Sequence, residues 1–398
     1  MCDLAFDKLE KIRQSGINEA FVPMRPVSTN FFCGRAKEVA RIVTDIMKPG
    51  AHVLLYGDRG VGKTSLAVHA CDQLLNHRYI DSFFVVRCSG QDSFSSISRN
   101  IFDQLGIHQV SKRASTTNFQ GGIPAIKGGH STSTEEEVYY DYSSPEWVAR
   151  ELTDKNIVII IDEFDTIKDT NEKAKFSWLI KNLSDSGSRL SLLIVGIAMT
   201  AAELVEGHLS ASRSLTEVKL DRMSADELLD IIKKGEDRTE LFFEPEVKKL
   251  IVHSSFGFPY FTHLLALKSA EEAVVSESKT VTMEMLDNGL KKALDDNLAA
   301  FKDKYDGAIG SNERKRKVIY CCALLGKEVF SASSLRKKYE EIFGEKIESI
   351  SVSNAIAKAM SDTTDTILRR KKQGFYYFND PRMPVYIVLR HERNCEQG

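Results

Sequence analysis

The chain has 398 residues, 42% hydrophobic and 28% charged, with a formal net charge of −2. That length suits two or three domains, and the near-neutral balance excludes a molecule-wide attraction to polyanions. No apolar run reaches the roughly eighteen residues of a spanning helix, so no membrane association is expected.

The opening, Met1 to Asp7, lacks the basic and apolar sections of a signal peptide, so a cytoplasmic location is expected. The 7 cysteines are scattered and lack C-x-x-C spacing. Reduced thiols fit them better than a disulfide framework or a zinc site. Residues 1–31 read as a short helix, with Leu4, Phe6, Leu9 and Ile12 roughly on one face, and then an arm punctuated by Pro23 and Pro26. Phe32-Cys33-Gly34-Arg35 follows, and then a helix carrying Val39, Ile42, Val43 and Ile46 at helical spacing.

The apolar run His52 to Tyr56 predicts a strand. It leads into Gly57-Asp58-Arg59-Gly60-Val61-Gly62-Lys63-Thr64 and then a helix-like run from Ser65. Strand, glycine-rich loop and helix in this order, with G-x-x-x-x-G-K-T spacing, predict a phosphate-binding loop. The glycines let backbone N–H groups turn inward around a phosphate, and the helix start adds its positive dipole end. Lys63 would reach the β- and γ-phosphates of a nucleotide, and the Thr64 hydroxyl would hold Mg²⁺.

Ser82 to Cys88 is a second apolar strand, and Ser93 to Leu105 a helix with Ser93 as its cap. From residue 110 to 143 glycine, serine, threonine and lysine dominate. This insertion is either a flexible surface loop or a segment that contacts a ligand or partner. Ser144-Pro145 opens the next helix. Then five β-branched residues, Ile157 to Ile161, end in Asp162-Glu163. A parallel strand delivers its carboxyl end to the ligand crevice. There Asp162 would sit beside Mg²⁺ and Glu163 would polarise the attacking water. A helix from Glu172 to Ser184, a strand from Leu190 to Ile197, a short helix from Ala201 to Glu206 and a strand from Leu215 to Leu220 complete a five-stranded parallel sheet with helices on both faces.

Beyond Met223 the pattern is helical. Ser224 to Glu227 is a capping box. Helices follow over Glu244 to Ser254, Tyr260 to Val274 after the Phe256-Gly257-Phe258-Pro259 turn, and Thr282 to Tyr305. The last unit offers three short helices and a hairpin turning at Gln373-Gly374, the plan of a winged helix-turn-helix. From Ser311 onward there are 17 Lys/Arg against 11 Asp/Glu, so this end is basic while the rest is acidic. Its candidate recognition helix, Ser351 to Met360, carries Ser351, Ser353, Asn354 and Lys358, and the hairpin carries Arg369-Arg370-Lys371-Lys372. These residues suit phosphates and base edges of DNA. The alternative is a module that contacts protein, its charges guarding a strand edge.

With these motifs in place, the chain resembles the AAA+ and STAND ATPases from Phe32 to about Arg390. It looks most similar to the bacterial ATPases related to origin-recognition and replication-licensing proteins. Phe32-Cys33-Gly34-Arg35-Ala36-Lys37-Glu38 is similar to their F-x-G-R-x-x-E pattern, and Gly257-Phe258-Pro259 to the G-x-P turn of STAND lids. The resemblance implies an ATPase unit over 32–221, a helical lid over 222–308 and a winged helix over 309–398. It implies that Asp58, Arg59, Val61, Ser65, Arg35, Pro259 and His263 join the loop glycines around ATP. His263 either faces the γ-phosphate or packs locally. Ser212-Arg213 stands where relatives carry an arginine finger, which would act across a homo-oligomer; the alternative is a surface arginine. Met199-Thr200 replaces a sensor asparagine, with Thr200 as the candidate substitute. These departures imply slow turnover, suited to a switch. No effector motif appears, so a second reading is a signalling or scaffold ATPase that regulates a protein effector, for example in phage defence, without touching DNA.

Overall fold

The computed structural model describes residues 2–23, 32–107, 141–198, 214–310, 312–325, 329–360 and 366–396. Five strands form one parallel sheet: β1 (His52–Gly57), β2 (Ser82–Arg87), β3 (Ile157–Asp162), β4 (Ser191–Ile197) and β5 (Leu215–Leu220). Their spatial order is β2-β3-β4-β1-β5. In register, Leu55 faces Val195, and Ile160 faces Leu193. Every residue of β3 is buried, as the unbroken apolar run predicts for a strand covered on both faces. Its side chains alternate between two cores. Val158 and Ile160 join one, and Ile157, Ile159 and Ile161 the other. Each such side chain contributes about 1.5–3 kcal/mol relative to exposure.

The expected α/β class with helices on both faces is the one found. Helix Lys63–Asn76 buries Leu66, Ala67, Ala70, Cys71 and Leu74 along one stripe against the sheet. Ser93 and Ser144 cap their helices, their hydroxyls accepting from the N–H groups of Ser96 and Trp147. On the second face, helices Phe94–Gln104, Pro145–Leu152 and Thr170–Asp185 supply the other core.

The following segment is helical: Ala225–Thr239, Pro245–Ser254, Pro259–Val275 and Met283–Lys292. A two-residue parallel ladder pairs β6 (Phe242–Phe243), after the first of these helices, with β7 (Thr280–Val281), before the last. The capping box is formed by Ser224 and Glu227. The single helix expected over Thr282 to Tyr305 is corrected. It breaks into a π-helical turn, Ala293–Asn297, followed by a separate helix, Ala299–Ile309. The wider turn, closed by Leu298 N–H on the Ala293 carbonyl, keeps Ala293, Leu294 and Leu298 buried together. The N-terminal arm enters this segment through Phe21, whose ring lies where a side chain on Gly235 would stand.

The C-terminal unit has the three expected helices, Glu313–Leu325, Ala332–Phe343 and Ser349–Ala359. Its hairpin is β9 (Leu368–Lys372) with β10 (Phe375–Phe378), and a short β8 (Phe330–Ser331) makes a third strand, in the order β8-β10-β9. The sequence pattern missed β8 and the closing helix Met383–Glu396. The expected insertion over 110–143 lies outside the described residues except for 141–143, which form the turn into Ser144. The expected helix Ala201 to Glu206 also lies outside them. Among the described residues, Cys33, Cys71, Cys88, Cys321 and Cys322 are buried thiols outside any disulfide. No helix among those residues is long and apolar enough to cross a membrane.

Candidate functional site

A cavity of about 780 Å³ opens at the carboxyl ends of the strands. Its floor is the loop from Arg59 to Ser65, and one wall is Arg87, Asp162, Glu163 and Asp165. The other wall comes from the helical segment and the arm: Pro259, Tyr260 and His263 with Val22 and Pro23. Its size is that of a small-molecule site.

The loop's first glycine is required by proximity. A Cβ on Gly57 would stand 2.3 Å from the Leu220 carbonyl oxygen of β5. Gly62, at φ +93, caps the helix Lys63–Asn76, so that helix's first N–H groups are aimed at the cavity floor. Lys63 is almost fully buried and donates to the carbonyls of Gly57 (3.1 Å) and Asp58 (2.7 Å). Burial pulls its ammonium down to about 8, against the opposing charges of Asp165, Asp162 and Asp58.

Thr64 Oγ1 donates to Asp162 Oδ2 at 2.8 Å, and Asp162 is 4% exposed. A hydroxyl and a carboxylate oxygen converging at a phosphate loop fit a Mg²⁺ ion, which takes one or two protein oxygens and completes its shell with substrate phosphates and water. The other oxygen, Asp162 Oδ1, accepts the Glu163 N–H at 3.0 Å. Glu163 is exposed and left-handed, at φ 57 and ψ 33. Its carbonyl is gripped by both the N–H and the hydroxyl of Thr166, at 2.9 and 2.7 Å. These bonds hold a conformation that costs a non-glycine residue about 1–2 kcal/mol, and they turn the Glu163 side chain to the cavity.

Asp165 was not singled out from the sequence, although it closes the acidic run after β3. Its Oδ1 accepts the Ile197 N–H at 2.8 Å, fastening the end of β4 to the segment after β3. Arg35 is buried in a left-handed conformation. Its guanidinium donates to the Asp221 carbonyl, and its N–H to Glu227 Oε1 at 3.1 Å. It lines the cavity as it joins the sheet to the helical segment. His263 also lines the cavity, and its Nδ1 accepts the Val22 N–H at 3.2 Å. Burial lowers its imidazole to about 4, so the ring is neutral and able to accept. His263 therefore both fastens the arm and stands in the cavity wall.

Thr200 and Arg213 lie outside the described residues. Ser353, Asn354 and Lys358 are exposed on one face of Ser349–Ala359, while Val352, Ala355, Ile356 and Ala359 face inward; Ser351 is half-buried. Arg369, Arg370, Lys371 and Lys372 are exposed along β9, an edge strand. Val22, Pro23, Arg87 and Tyr260 are cavity residues with no local sequence signal.

Residues 46–204 match the family model of an AAA domain. No curated protein sequence matches the chain. Among solved structures, the ORC2 protein of Aeropyrum pernix is similar at 14% identity and a TM-score of 0.51, over 92% of this chain and 98% of that one. The ORC1 protein of the same organism, solved in complex with DNA, is 16% identical over 92% and 94% of the two chains, with a TM-score of 0.49. The RuvB protein of Thermotoga maritima is 17% identical over 88% and 94%, with a TM-score of 0.46. The likeness to the ORC2 structure is one of fold, an α/β P-loop fold, and the AAA domain match spans the phosphate loop and the acidic end of β3.

Proposed function

We propose that this protein binds and slowly hydrolyses ATP, and that the nucleotide switches an assembly that engages DNA. The observation that carries the first part is the Thr64–Asp162 pair beside buried Lys63 on a glycine loop, inside one cavity. In this reading residues 32–221 form the ATPase unit, 222–308 the lid and 309–398 a winged helix.

The N–H groups at the start of helix Lys63–Asn76 and the Lys63 ammonium hold the phosphates, with Gly57, Asp58, Arg59, Gly60, Val61, Gly62 and Ser65 shaping the cradle. Thr64 and Asp162 would hold Mg²⁺, which neutralises charge building on the phosphate oxygens. Glu163 takes a proton from a water as that water attacks the γ-phosphorus, and the bond to the bridging oxygen breaks to leave ADP and phosphate. Arg35, Pro259 and His263 support the nucleotide from the lid side. Arg213 of a neighbouring copy and Thr200 would complete the site, which makes the assembly a homo-oligomer. Lys63→Ala tests this directly: it should abolish ATP binding and turnover, and a variant that binds ATP normally would refute the site.

For DNA, support comes from the outward face of Ser353, Asn354 and Lys358 and from four exposed cations on β9. A second reading is a signalling ATPase that regulates a protein effector. It is favoured by Lys372 and Arg370 lying over the rings of Phe375 and Tyr376 in their own hairpin, as edge-guarding charges would. Duplex DNA binding at low salt separates the two.

A further inference from the structure

The turn between β10 and the helix Met383–Glu396 brings a charged pair from the C-terminal unit onto the phosphate loop. Arg382 donates from Nε to Asp380 Oδ1 at 3.0 Å and from its terminal nitrogen to Oδ2 at 2.8 Å, a two-pronged fork. The Arg382 N–H also donates to Asp380 Oδ1, at 2.9 Å. The guanidinium lies over the rings of Tyr260 (5.7 Å) and Phe301 (5.2 Å), and the side chain is only 16% exposed. The stem lies against the loop itself. A Cβ on Gly60 would stand 3.1 Å from Arg382 Cδ. Gly60 and Tyr260 both line the cavity, so the fork sits directly behind its wall. Burial pushes the Asp380 carboxyl up, but the hydrogen bonds and charge of Arg382 and the charge of Arg59 hold it below its ordinary value. Asp380 is thus bonded to Arg382 and lies in the field of Arg59 on the loop.

A phosphate presents the same paired oxygens to a guanidinium as a carboxylate does. An arginine whose Cδ rests on a loop glycine has its guanidinium within one side-chain reach of what the loop holds. The helix that faces the loop, Pro259–Val275, contains no arginine to do this work. Resting on the ATP site proposed above, we propose that Arg382 reads the terminal phosphate of the bound nucleotide, exchanging Asp380 for that phosphate. The C-terminal unit thereby senses whether the nucleotide has three phosphates or two, within a single copy of the chain.

The test is the ratio of ATP to ADP affinity, measured by displacement of a fluorescent ADP analogue with Mg²⁺ present. Arg382→Ala should weaken ATP about tenfold more than ADP, and Arg382→Lys should recover part of that loss. Asp380→Asn, which releases the arginine, should strengthen ATP relative to ADP. If Arg382→Ala is too unstable to assay, Asp380→Asn and Arg382→Lys decide the matter by the same ratio. A ratio unchanged in these variants, in a parent protein that binds both nucleotides, overturns the Arg382 assignment alone. A parent protein that binds neither nucleotide, or whose binding survives Lys63→Ala, overturns the ATP site as well.

Discussion

Thr64 and Asp162 are 98 positions apart in the chain, yet the hydroxyl of one donates to the carboxylate of the other at 2.8 Å. Because both oxygens serve one ion in the proposed site, their loss should not be additive. Thr64→Val and Asp162→Asn should each raise the Mg²⁺ concentration needed for half-maximal ADP analogue binding by about tenfold or more. The double variant should be little worse than the poorer single one. Additive losses would mean that the two groups do not share an ion.

Glu163 separates chemistry from strain. Glu163→Gln should fold and bind ATP as the parent does while lowering turnover by about 10²–10⁴. Glu163→Gly removes the side chain from a left-handed position and should raise stability by up to about 1 kcal/mol, measured by urea denaturation. A glycine variant less stable than the parent would remove the case for strain there.

Two buried histidines set an acid limit. Burial lowers His52 and His263 to about 4 from an ordinary 6.5. Between those values the unfolded chain binds protons that the folded one refuses, so stability is full above pH 6.5 and falls as pH drops towards 4. Each contributes a loss of order 3 kcal/mol over that window. Thermal melts from pH 7.5 to 4.5 should show the fall, and His263→Gln should flatten it. An unchanged slope in that variant would assign the acid sensitivity to other groups.

Phe21 and Gly235 form a close fit. A methyl on Gly235 would come within 2.1 Å of the Phe21 ring, which also meets Phe243 edge-on at 5.8 Å. Phe21→Ala should cost about 3–5 kcal/mol and Gly235→Ala about 1–3 kcal/mol. In the Phe21→Ala background the Gly235→Ala cost should largely vanish, because the space is then open. Equal costs in both backgrounds, read from denaturation midpoints, would show that the ring is not what excludes the methyl.

Replacing Arg369, Arg370, Lys371 and Lys372 by glutamine should weaken duplex DNA binding and lower its salt slope by up to about 3–4. The Asn354→Ala change should instead relax preference among sequences while leaving that slope in place. Filter binding between 50 and 200 mM salt distinguishes them; a slope unaffected by the four changes would take the hairpin out of any DNA interface.

Much of the fold was legible because its signals are local. Ile157 to Ile161 can be little other than a buried strand, and Ser93, Ser144 and Ser224 announce helix starts by the donors they satisfy. The phosphate loop is a local device too, with Lys63 and Thr64 at fixed spacing. What stayed hidden depends on distant partners. The turn at Ala293–Asn297 follows from which residues must reach the core, and a helix-like run says nothing of that. Tyr260 enters the cavity only because the whole helical segment is laid over the loop. Arg382 looks like any arginine at a helix start; Gly60, far upstream, gives it a meaning.

The bond from the Val22 N–H to His263 spans 241 positions. On a ribosome adding roughly 5–20 residues per second, the arm emerges on the order of ten to fifty seconds before its partner does. Through most of that interval Phe21 and Val22 lack the residues they dock on, Gly235, Phe243 and His263, although the sheet strands that follow them are already being made. The lid side of the cavity is therefore assembled late in synthesis, and a chain stalled before residue 263 would carry an intact phosphate loop under an unfinished roof.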